Sequence, residues 1–385
     1  MIARRLAETI LIGFDGLKEV GDLSASQLTP REPSCIGGRV TIPSLAVCSE
    51  RVKGLGLFLR PWGIGCFIGK VEQTQEGLHE TATLLGTSHP ASERSSLMKI
   101  TTLFEHMTPL TAENLLPETL TALYDGKLVF SSQPNGRPLI IGNFVQTLDG
   151  IVSFKIPHQS GGGVISGSNE EDRFIMAFLR ACADAVIVAR GTLHEDPGHV
   201  WTPDFIYPPM AEQFVALRSR LGKKSPHPLN VIVSGSGQID LAETVFWTRD
   251  VRALILTTAR GQAHLLRQGS PPLSPTTEIR VLPGQDALEP HDIASTLYGE
   301  YGVNLLLHEG GPTFFSAFLT ARLVDELFLT IAPQIAGSGV LRERPPFAVA
   351  ANFDVEDALQ GNLLSVKRPS TGSHLYLRYG LSLAS

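Results

Sequence analysis

The chain has 385 residues, of which 43% are hydrophobic and 18% are charged. This composition supplies ample apolar material for a core and excludes a disordered chain, and the length predicts two or three domains. The formal net charge of -6, from 32 Lys and Arg against 38 Asp and Glu, argues against a nucleic-acid partner, because nucleic-acid binding needs a basic surface.

The cysteines stand singly at positions 35, 48, 66 and 182, so neither a zinc ribbon nor a disulfide framework is predicted. The histidines at 158 and 199 lack the spacing that defines a metal site, and we predict no metal. No run of 18 apolar residues occurs, and charge interrupts the first apolar stretch. We therefore expect a soluble, cytoplasmic protein without a membrane partner.

Residues 1–97 form an N-terminal extension, either a small module or a partly disordered segment. Two short glycine-broken apolar runs, at 55–59 and 64–69, are candidate strands, and the Ser-rich stretch 86–96 has the composition of a linker. A more regular pattern begins at Met98, which raises the hypothesis that translation naturally starts there. The mass of the native protein tests that hypothesis.

Residues 98–137 are predicted to be a lead-in helix and linker, since Thr111 precedes leucines at helical spacing. Beyond residue 138, apolar strand-like runs alternate with helical patterns, which predicts an α/β domain over 138–385. Its sheet should be mainly parallel, with ligands at the carboxyl ends of the strands. The apolar strand that starts at Leu327 is a candidate sheet edge for contact with a second copy.

The strongest local signal is the segment from His308 to Thr313, in which a buried strand stops at two glycines and Pro312 opens a helix. Glycines let a ligand approach the backbone, and a helix start presents free N–H groups, so the segment predicts a phosphate cradle. A plain turn is the alternative. In isolation, Glu309 fits an ordinary surface carboxylate better than a catalytic one.

Other strand ends carry small polar residues. They are Thr192 with Asp196, Ser234, Thr258, and Thr147 with Asp149. An ordinary loop or turn explains each one alone, but together they are typical of a site for the riboses and phosphates of a dinucleotide. The complete G-x-G-x-x-G fingerprint is absent.

In this order the motifs resemble the reductase domain of riboflavin biosynthesis, which has a dihydrofolate-reductase-like fold, and in particular the stand-alone pyrimidine reductases. The matching stretches are Thr147-Leu-Asp-Gly150, Ile165-Ser166, Leu179-Arg-Ala181, Gly191-Thr192, Asp196-Pro197 and Glu309-Gly-Gly-Pro-Thr313. The resemblance covers about residues 138–380 and says nothing about residues 1–97.

The resemblance implies NADPH as cofactor, a phosphorylated ribosylamino-pyrimidine as substrate, hydride transfer to the ribose C1′, and a homodimer. The implied cofactor-binding residues are Val145, Val164, Thr192, Asp196, Ser234, Thr258, Gly310, Gly311, Pro312 and Thr313. The implied substrate-binding residues are Asn143, Thr147, Asp149, Arg180 and Glu309. Asp149 and Glu309 are the implied catalytic residues, and Arg180 is suited to hold a phosphate bidentately.

Residues 198–203, Gly-His-Val-Trp-Thr-Pro, depart from the family pattern where a second phosphate contact is expected. Two alternatives therefore stay open: a reductase of the same fold that acts on another heterocycle or pterin, and a non-catalytic nucleotide-binding protein. The H-x-E and P-C-x-x-C motifs of a deaminase are absent from the sequence.

Overall fold

The computed structural model describes residues 99–106, 116–156, 161–267, 274–338 and 344–382, together with four backbone strands between residues 35 and 68. The chain divides into two compact units, Met1–Thr87 and Ser88–Ser385. In the first unit, β1 (Cys35–Ile36) pairs with β2 (Arg39–Val40), and β3 (Leu55–Arg60) pairs with β4 (Gly63–Ile68), both antiparallel. The strands β3 and β4 coincide with the two candidate strands in the sequence.

One ten-stranded sheet organises the described part of the second unit. Its strands are β5 (Ile100–Glu105), β6 (Leu139–Gln146), β7 (Ala185–Ala189), β8 (Leu229–Val233), β9 (Ala253–Thr257), β10 (Thr277–Val281), β11 (Leu305–His308), β12 (Glu326–Ile331), β13 (Gln360–Pro369) and β14 (Leu375–Ser382). The spatial order is β10-β9-β8-β7-β11-β6-β12-β14-β13-β5. The first seven strands are mutually parallel, and the last three join antiparallel.

The α-helices of the described residues are α1 (Glu118–Tyr124), α2 (Gly162–Ile165), α3 (Glu170–Cys182), α4 (Arg190–Glu195), α5 (Pro203–Ile206), α6 (Ala211–Arg220), α7 (Ala259–Arg267), α8 (Pro290–Gly299) and α9 (Pro312–Thr320). Apolar residues of α1, α3, α6 and α7 share one core with the sheet, and those of α8 and α9 share the other. Because both faces are covered, the central parallel strands are mostly apolar. The predicted α/β class with a mainly parallel sheet is confirmed.

Helix α3 shows how the sequence specifies its elements. The side chain of Asn169 accepts a hydrogen bond from the amide of Asp172 and so caps the first turn, which is rich in acidic residues. Arg180 lies in the last turn, where a positive charge suits the helix dipole. The helix runs back from the carboxyl edge of the sheet and covers the face on which the site is built.

Two expectations about strands need correction. Residues 100–105, predicted to belong to a lead-in helix and linker, form an edge strand that pairs with β13. The strand from Glu326 to Ile331 is interior and not at an edge, because β6 and β14 flank it on its two sides. Helix α1 begins after Pro117, and Thr111 lies outside the described residues. No helix among the described residues is long and apolar enough to span a membrane.

Candidate functional site

The junction between β11 and α9 forms a cradle of backbone amides at the carboxyl edge of the sheet. The first amide bonded back into the helix is that of Phe315, which donates to the carbonyl of Gly311. The amides of Gly311, Thr313 and Phe314 therefore have no backbone acceptor in the described structure, and Pro312 has no N–H to offer. Such open amides at a helix start suit an anion.

The cradle is fixed from beneath by His308. Its ring is fully buried against Phe314, Phe315 and Phe318, and its Nδ1 accepts the amide N–H of Gly310 at 3.2 Å. Burial lowers the pKa of His308 to about 3, so the ring is neutral at physiological pH. A neutral imidazole can accept that amide hydrogen bond, whereas a protonated one cannot.

Two predicted cofactor residues lie at the ends of neighbouring strands. A Cβ atom on Gly311 would lie 3.5 Å from the hydroxyl of Thr192, which places Thr192 beside the cradle. Ser234, at the end of β8, is 5% exposed, and its buried hydroxyl has no hydrogen-bond partner in the described structure. A buried hydroxyl without a partner is unusual in a folded protein and is consistent with a ligand that completes it.

The hydroxyl of Thr258, also predicted to bind the cofactor, serves the fold. It is fully buried, donates to the carbonyl of Gly235 at 2.7 Å and accepts the amide N–H of Gly261 at 3.1 Å. The neighbouring Arg260 forms an exposed ion pair with Asp286. The structure gives the Thr258 hydroxyl two internal partners, in contrast to that of Ser234.

Arg180 and Glu309 form a buried ion pair. The guanidinium Nη2 of Arg180 lies 2.7 Å from Oε2 of Glu309, and Nε lies 3.1 and 3.2 Å from the two carboxylate oxygens. The third nitrogen, Nη1, donates to the carbonyl of Thr202. Arg180 is only 1% exposed, so its fork, which the sequence suggested for a substrate phosphate, holds the protein's own carboxylate in this structure.

Asp149 is an exposed carboxylate that joins two loops. It accepts hydrogen bonds from the Thr147 hydroxyl at 2.5 Å and from the amides of Ala336 and Gly337 at 3.0 and 2.6 Å. The Thr147 hydroxyl, followed by these amides, lowers the pKa of Asp149 to about 2. Asp149 is therefore ionised at neutral pH and can accept hydrogen bonds but cannot donate a proton.

The remaining predicted residues lie along β6 and α2. Asn143 is half-buried and lines a small cavity with Thr330 and Tyr376. Val145 is buried and packs against Ile165, while Val164 on α2 is exposed. On β12, Thr330 is the register partner of Val145, so these side chains share the sheet face that α3 covers.

Asp172 is a candidate that the sequence reading missed. This carboxyl lies in the first turn of α3 and is 6% exposed. Burial raises its pKa, and the negative charge of Glu309 adds to that effect, while the hydroxyls of Thr330 and Ser166 oppose it. Acidic residues are common in the first turn of a helix, so the sequence pattern did not distinguish Asp172 as a functional residue. Its burial could have been predicted from the spacing, because Asp172 stands three and seven residues before apolar residues of α3 and so lies on the buried face of the helix.

No three His, Cys, Asp or Glu side chains within the described ranges lie close enough to hold a metal ion. His158 lies outside the described residues, as do the neighbouring positions 157–160.

Comparison with known proteins gives matches over the second unit. Residues 138–359 match the RibD C-terminal domain family. Two curated relatives are each named 2,5-diamino-6-ribosylamino-4(3H)-pyrimidinone 5′-phosphate reductase. The Archaeoglobus fulgidus protein is 27% identical over 219 residues, which cover 56% of this chain and 89% of the relative. The Methanothermobacter thermautotrophicus protein is 28% identical over 251 residues, which cover 63% of this chain and 98% of the relative.

A solved structure from Thermotoga maritima is described as a diaminohydroxyphosphoribosylaminopyrimidine deaminase/5-amino-6-(5-phosphoribosylamino)uracil reductase. It is 21% identical, with a TM-score of 0.44. The match covers 64% of this chain and 57% of that one, so the chain spans little more than half the length of this two-activity protein.

Proposed function

Since the chain belongs to the RibD C-terminal domain family, we propose that it is an NADPH-dependent reductase of a ribosylamino-pyrimidinone 5′-phosphate. The observation that carries this proposal is the position of the amide cradle directly after Glu309, which puts an anion site and a buried carboxylate–guanidinium pair at one strand end. The names of the two archaeal relatives supply the substrate class.

The described residues fit a nicotinamide dinucleotide in three respects. The open amides at the start of α9 suit a phosphate, Thr192 lies beside them, and the unpaired buried hydroxyl of Ser234 suits a ribose or phosphate oxygen. Asp196, Val145 and Val164 complete the proposed cofactor contacts. When bound, the cofactor supplies a hydride.

The proposed substrate contacts are Asn143, Thr147, Asp149, Arg180 and Glu309. Addition of a hydride to the ribose C1′ breaks the bond between C1′ and the ring oxygen, and that oxygen must then gain one proton. Asp172 forms a hydrogen bond with the Thr330 hydroxyl, and Thr330 lines the same small cavity as Asn143. Burial also raises the pKa of Asp172, so we assign it the proton, delivered directly or through water. Glu309, held by Arg180, orients the ribose hydroxyls.

A cofactor titration with the full chain tests the first part of the proposal. We expect NADPH to bind more tightly than NADH, and Ser234→Ala to weaken NADPH binding about tenfold, since one hydrogen bond to the cofactor is lost. Equal affinity of the variant and the wild type would remove Ser234 from the site.

Turnover tests the second part. With 2,5-diamino-6-ribosylamino-4(3H)-pyrimidinone 5′-phosphate we expect one NADPH consumed for each ribityl product formed. If the protein turns over only a pterin or another heterocycle, it is instead a reductase of the same fold with a different substrate. Tight NADPH binding without turnover of any acceptor would support a nucleotide-binding protein instead.

The reductase domain is proposed to span residues 138–385 and to fold together with the segment 98–137, whose strand β5 joins the same sheet. The extension 1–97 precedes them. A homodimer and a cytoplasmic location complete the proposal. Light scattering during size-exclusion chromatography tests the dimer: the molar mass should be twice that of the chain. In the described sheet the open edges are β5 and β10, so one of these edges or a helical face must supply the contact.

A further inference from the structure

A continuous chain of hydrogen bonds joins Glu309 to the exposed carboxylate of Asp196 through two buried side chains. Arg180 binds Glu309 as described above, and its Nη2 lies 3.1 Å from Nε2 of His199. The other ring nitrogen of His199, Nδ1, lies 2.7 Å from Oδ2 of Asp196. Thus a residue proposed to contact the cofactor is linked to one proposed to contact the substrate.

The partners of His199 fix its tautomer. Asp196 accepts a hydrogen bond, so Nδ1 of His199 carries the proton. Arg180 can only donate, so Nε2 must offer a lone pair. The ring is held between Trp201 and Phe205, with centroid separations of 4.9 and 4.7 Å, and its side chain is 10% exposed. The imidazole therefore has one orientation and one protonation state that satisfy all its neighbours.

The position of Arg180 depends on this imidazole. Its Nη1 contact with the carbonyl of Thr202 is long, at 3.3 Å, and its other partners are the Glu309 carboxylate and His199. Without His199, the guanidinium keeps its charge attraction to Glu309 but loses the contact that fixes its other side. Rotation of the guanidinium would then carry the Glu309 carboxylate with it, two residues before the first open amide of the cradle, that of Gly311.

We propose that neutral His199 is a positioning residue that anchors Arg180 to Asp196 and thereby fixes the Glu309 carboxylate for reduction. The inference rests on the proposed function for its effect on turnover. The anchoring itself rests on the contacts of His199 alone and is measurable without turnover.

Acid should release the anchor. Protonation of His199 replaces the lone pair on Nε2 by an N–H that faces the guanidinium, which removes a hydrogen bond and adds repulsion. The charged groups around the ring are Arg180 on α3, Asp196 after α4 and Glu309 after β11, while its aromatic neighbours are neutral. Burial lowers the pKa of His199, with Arg180 adding to the effect and Asp196 opposing it. The loss of kcat should therefore occur below about pH 6.5, the ordinary value for histidine.

Two substitutions of His199 distinguish the role of Nε2 from that of Nδ1. His199→Gln can keep an acceptor near the position of Nε2 but cannot titrate, whereas His199→Asn can keep a donor near Nδ1 and loses the contact with Arg180. We expect His199→Asn to lower kcat about 10- to 100-fold, as a misplaced catalytic group does, with the Kd for NADPH unchanged. We expect His199→Gln to retain most of kcat at pH 7.5 and to lose the acidic limb of the kcat profile.

His227→Asn is the matched control, because His227 also faces a carboxylate, Asp204 at 3.3 Å, and forms no hydrogen bond with Arg180 in the described part of the chain. It should keep both kcat and the acidic limb. Wild-type kcat in His199→Asn, or an acidic limb that persists in His199→Gln, would overturn the proposal.

Nitrogen-15 NMR of the full chain tests the anchor independently of turnover. We expect the Nδ1–H tautomer for His199, and slowly exchanging guanidinium protons of Arg180 in the wild type and His199→Gln but not in His199→Asn. The opposite tautomer, or equal exchange in all three proteins, would refute the anchor. The expected spectra together with absent turnover would instead refute the proposed function.

Discussion

At the scale of single residues, two carboxyls near the carboxyl edge of the sheet differ in how they hold a proton. The exposed Asp149 is surrounded by donors, and its pKa falls to about 2. The buried Asp172 has lost its hydration, and its pKa rises even though two hydroxyls oppose the shift. Opposed shifts of this kind distinguish a group that accepts hydrogen bonds from a group that can deliver a proton.

Replacement of Asp172 by Asn should increase stability and decrease activity. The raised pKa means that the folded protein binds the proton more tightly than the unfolded chain does. Asp172 therefore lowers the free energy of unfolding as the pH rises from its pKa in the unfolded chain through its pKa in the folded protein. Asp172→Asn should therefore raise the Tm at pH 8 and change it little near pH 3. We expect kcat to fall about 100-fold if Asp172 supplies the proton.

Thermal unfolding at both pH values and steady-state kinetics at pH 8 check this prediction. Asp149→Asn is the control, since the depressed pKa of Asp149 predicts the opposite sign: a lower Tm at pH 8 and a smaller decrease at pH 3. A Tm of Asp172→Asn that falls equally at both pH values would contradict the account.

The residue types of the site were predictable from the sequence, but their pairing was not. Glu309 and Arg180 were both recognised as site residues. They are 129 positions apart, and nothing in the sequence pattern indicates that the Arg180 guanidinium binds the Glu309 carboxylate. The burial of Asp172 depends on α3 packing close to β12, where the Thr330 hydroxyl hydrogen-bonds to the carboxyl. The role of His199 depends on the tautomer that its two partners impose.

At the scale of elements, the junction of β11 with α9 contains two glycines with different surroundings. A Cβ on Gly310 would lie 2.7 Å from a ring carbon of Phe314 and 2.8 Å from one of His308, inside a closed aromatic cluster. A Cβ on Gly311 would meet only Thr192, at an ordinary 3.5 Å. The first glycine is required by packing, whereas the packing leaves room for a side chain at the second.

Alanine substitutions should separate these two requirements. Gly310→Ala should lower the free energy of unfolding by about 1–3 kcal/mol, because it overpacks the cluster. Gly311→Ala should leave stability unchanged and weaken NADPH binding about tenfold or more, because a methyl group would occupy the space through which a phosphate approaches the backbone. Denaturant unfolding and cofactor titration of both variants give the comparison. Wild-type affinity in Gly311→Ala would place the cofactor away from this cradle.

Strand β5 is fastened to β13 by a buried lysine. Lys367 is 1% exposed, and its ammonium group contacts Glu105 at 2.9 Å, the Thr102 hydroxyl at 2.7 Å and the ring of Tyr124. Residues 100–105 therefore belong to the folded sheet and give a buried charge its counter-ion.

Glu105→Gln should destabilise the protein by about 1–3 kcal/mol, because a buried ammonium loses its charged partner. Glu300→Gln is the matched control, since its pair with Arg280 is exposed and screened by solvent and should contribute much less to stability. Equal effects in urea unfolding of the two variants would mean that the Lys367 pair behaves as a surface contact.

Elements with a strong apolar signal were found from the sequence, and those at the borders of the sheet were not. The runs at β7, β8 and β9 are apolar because both faces of these strands are covered. Strand β10 is half-exposed along its length, and β13 contains register irregularities, so neither has a clean period. The position of β12 depended on β14, whose pairing only the folded structure shows.

At the scale of the whole molecule, the chain consists of two compact units whose boundary lies between Thr87 and Ser88. Limited digestion of the full chain with trypsin should release a fragment that begins near Ser95, after the arginine at 94, and still binds NADPH. Proteases cut preferentially at domain boundaries, and β5 protects the residues that follow. Mass spectrometry of the fragment and a cofactor titration check this. A stable fragment that begins beyond Glu105, or one without NADPH affinity, would contradict the proposed domain division.

The strand order of the sheet also constrains how the protein is made. Strand β6 lies between β11 and β12, both of which are synthesised much later than β6. While the ribosome makes the intervening residues, both edges of β6 lack their final partners, and its apolar side chains have no finished core to enter. The nascent chain thus carries an unpaired, aggregation-prone strand through almost half of its synthesis. Chaperone supply and translation speed should therefore govern the yield of this protein in a cell more than its final stability does.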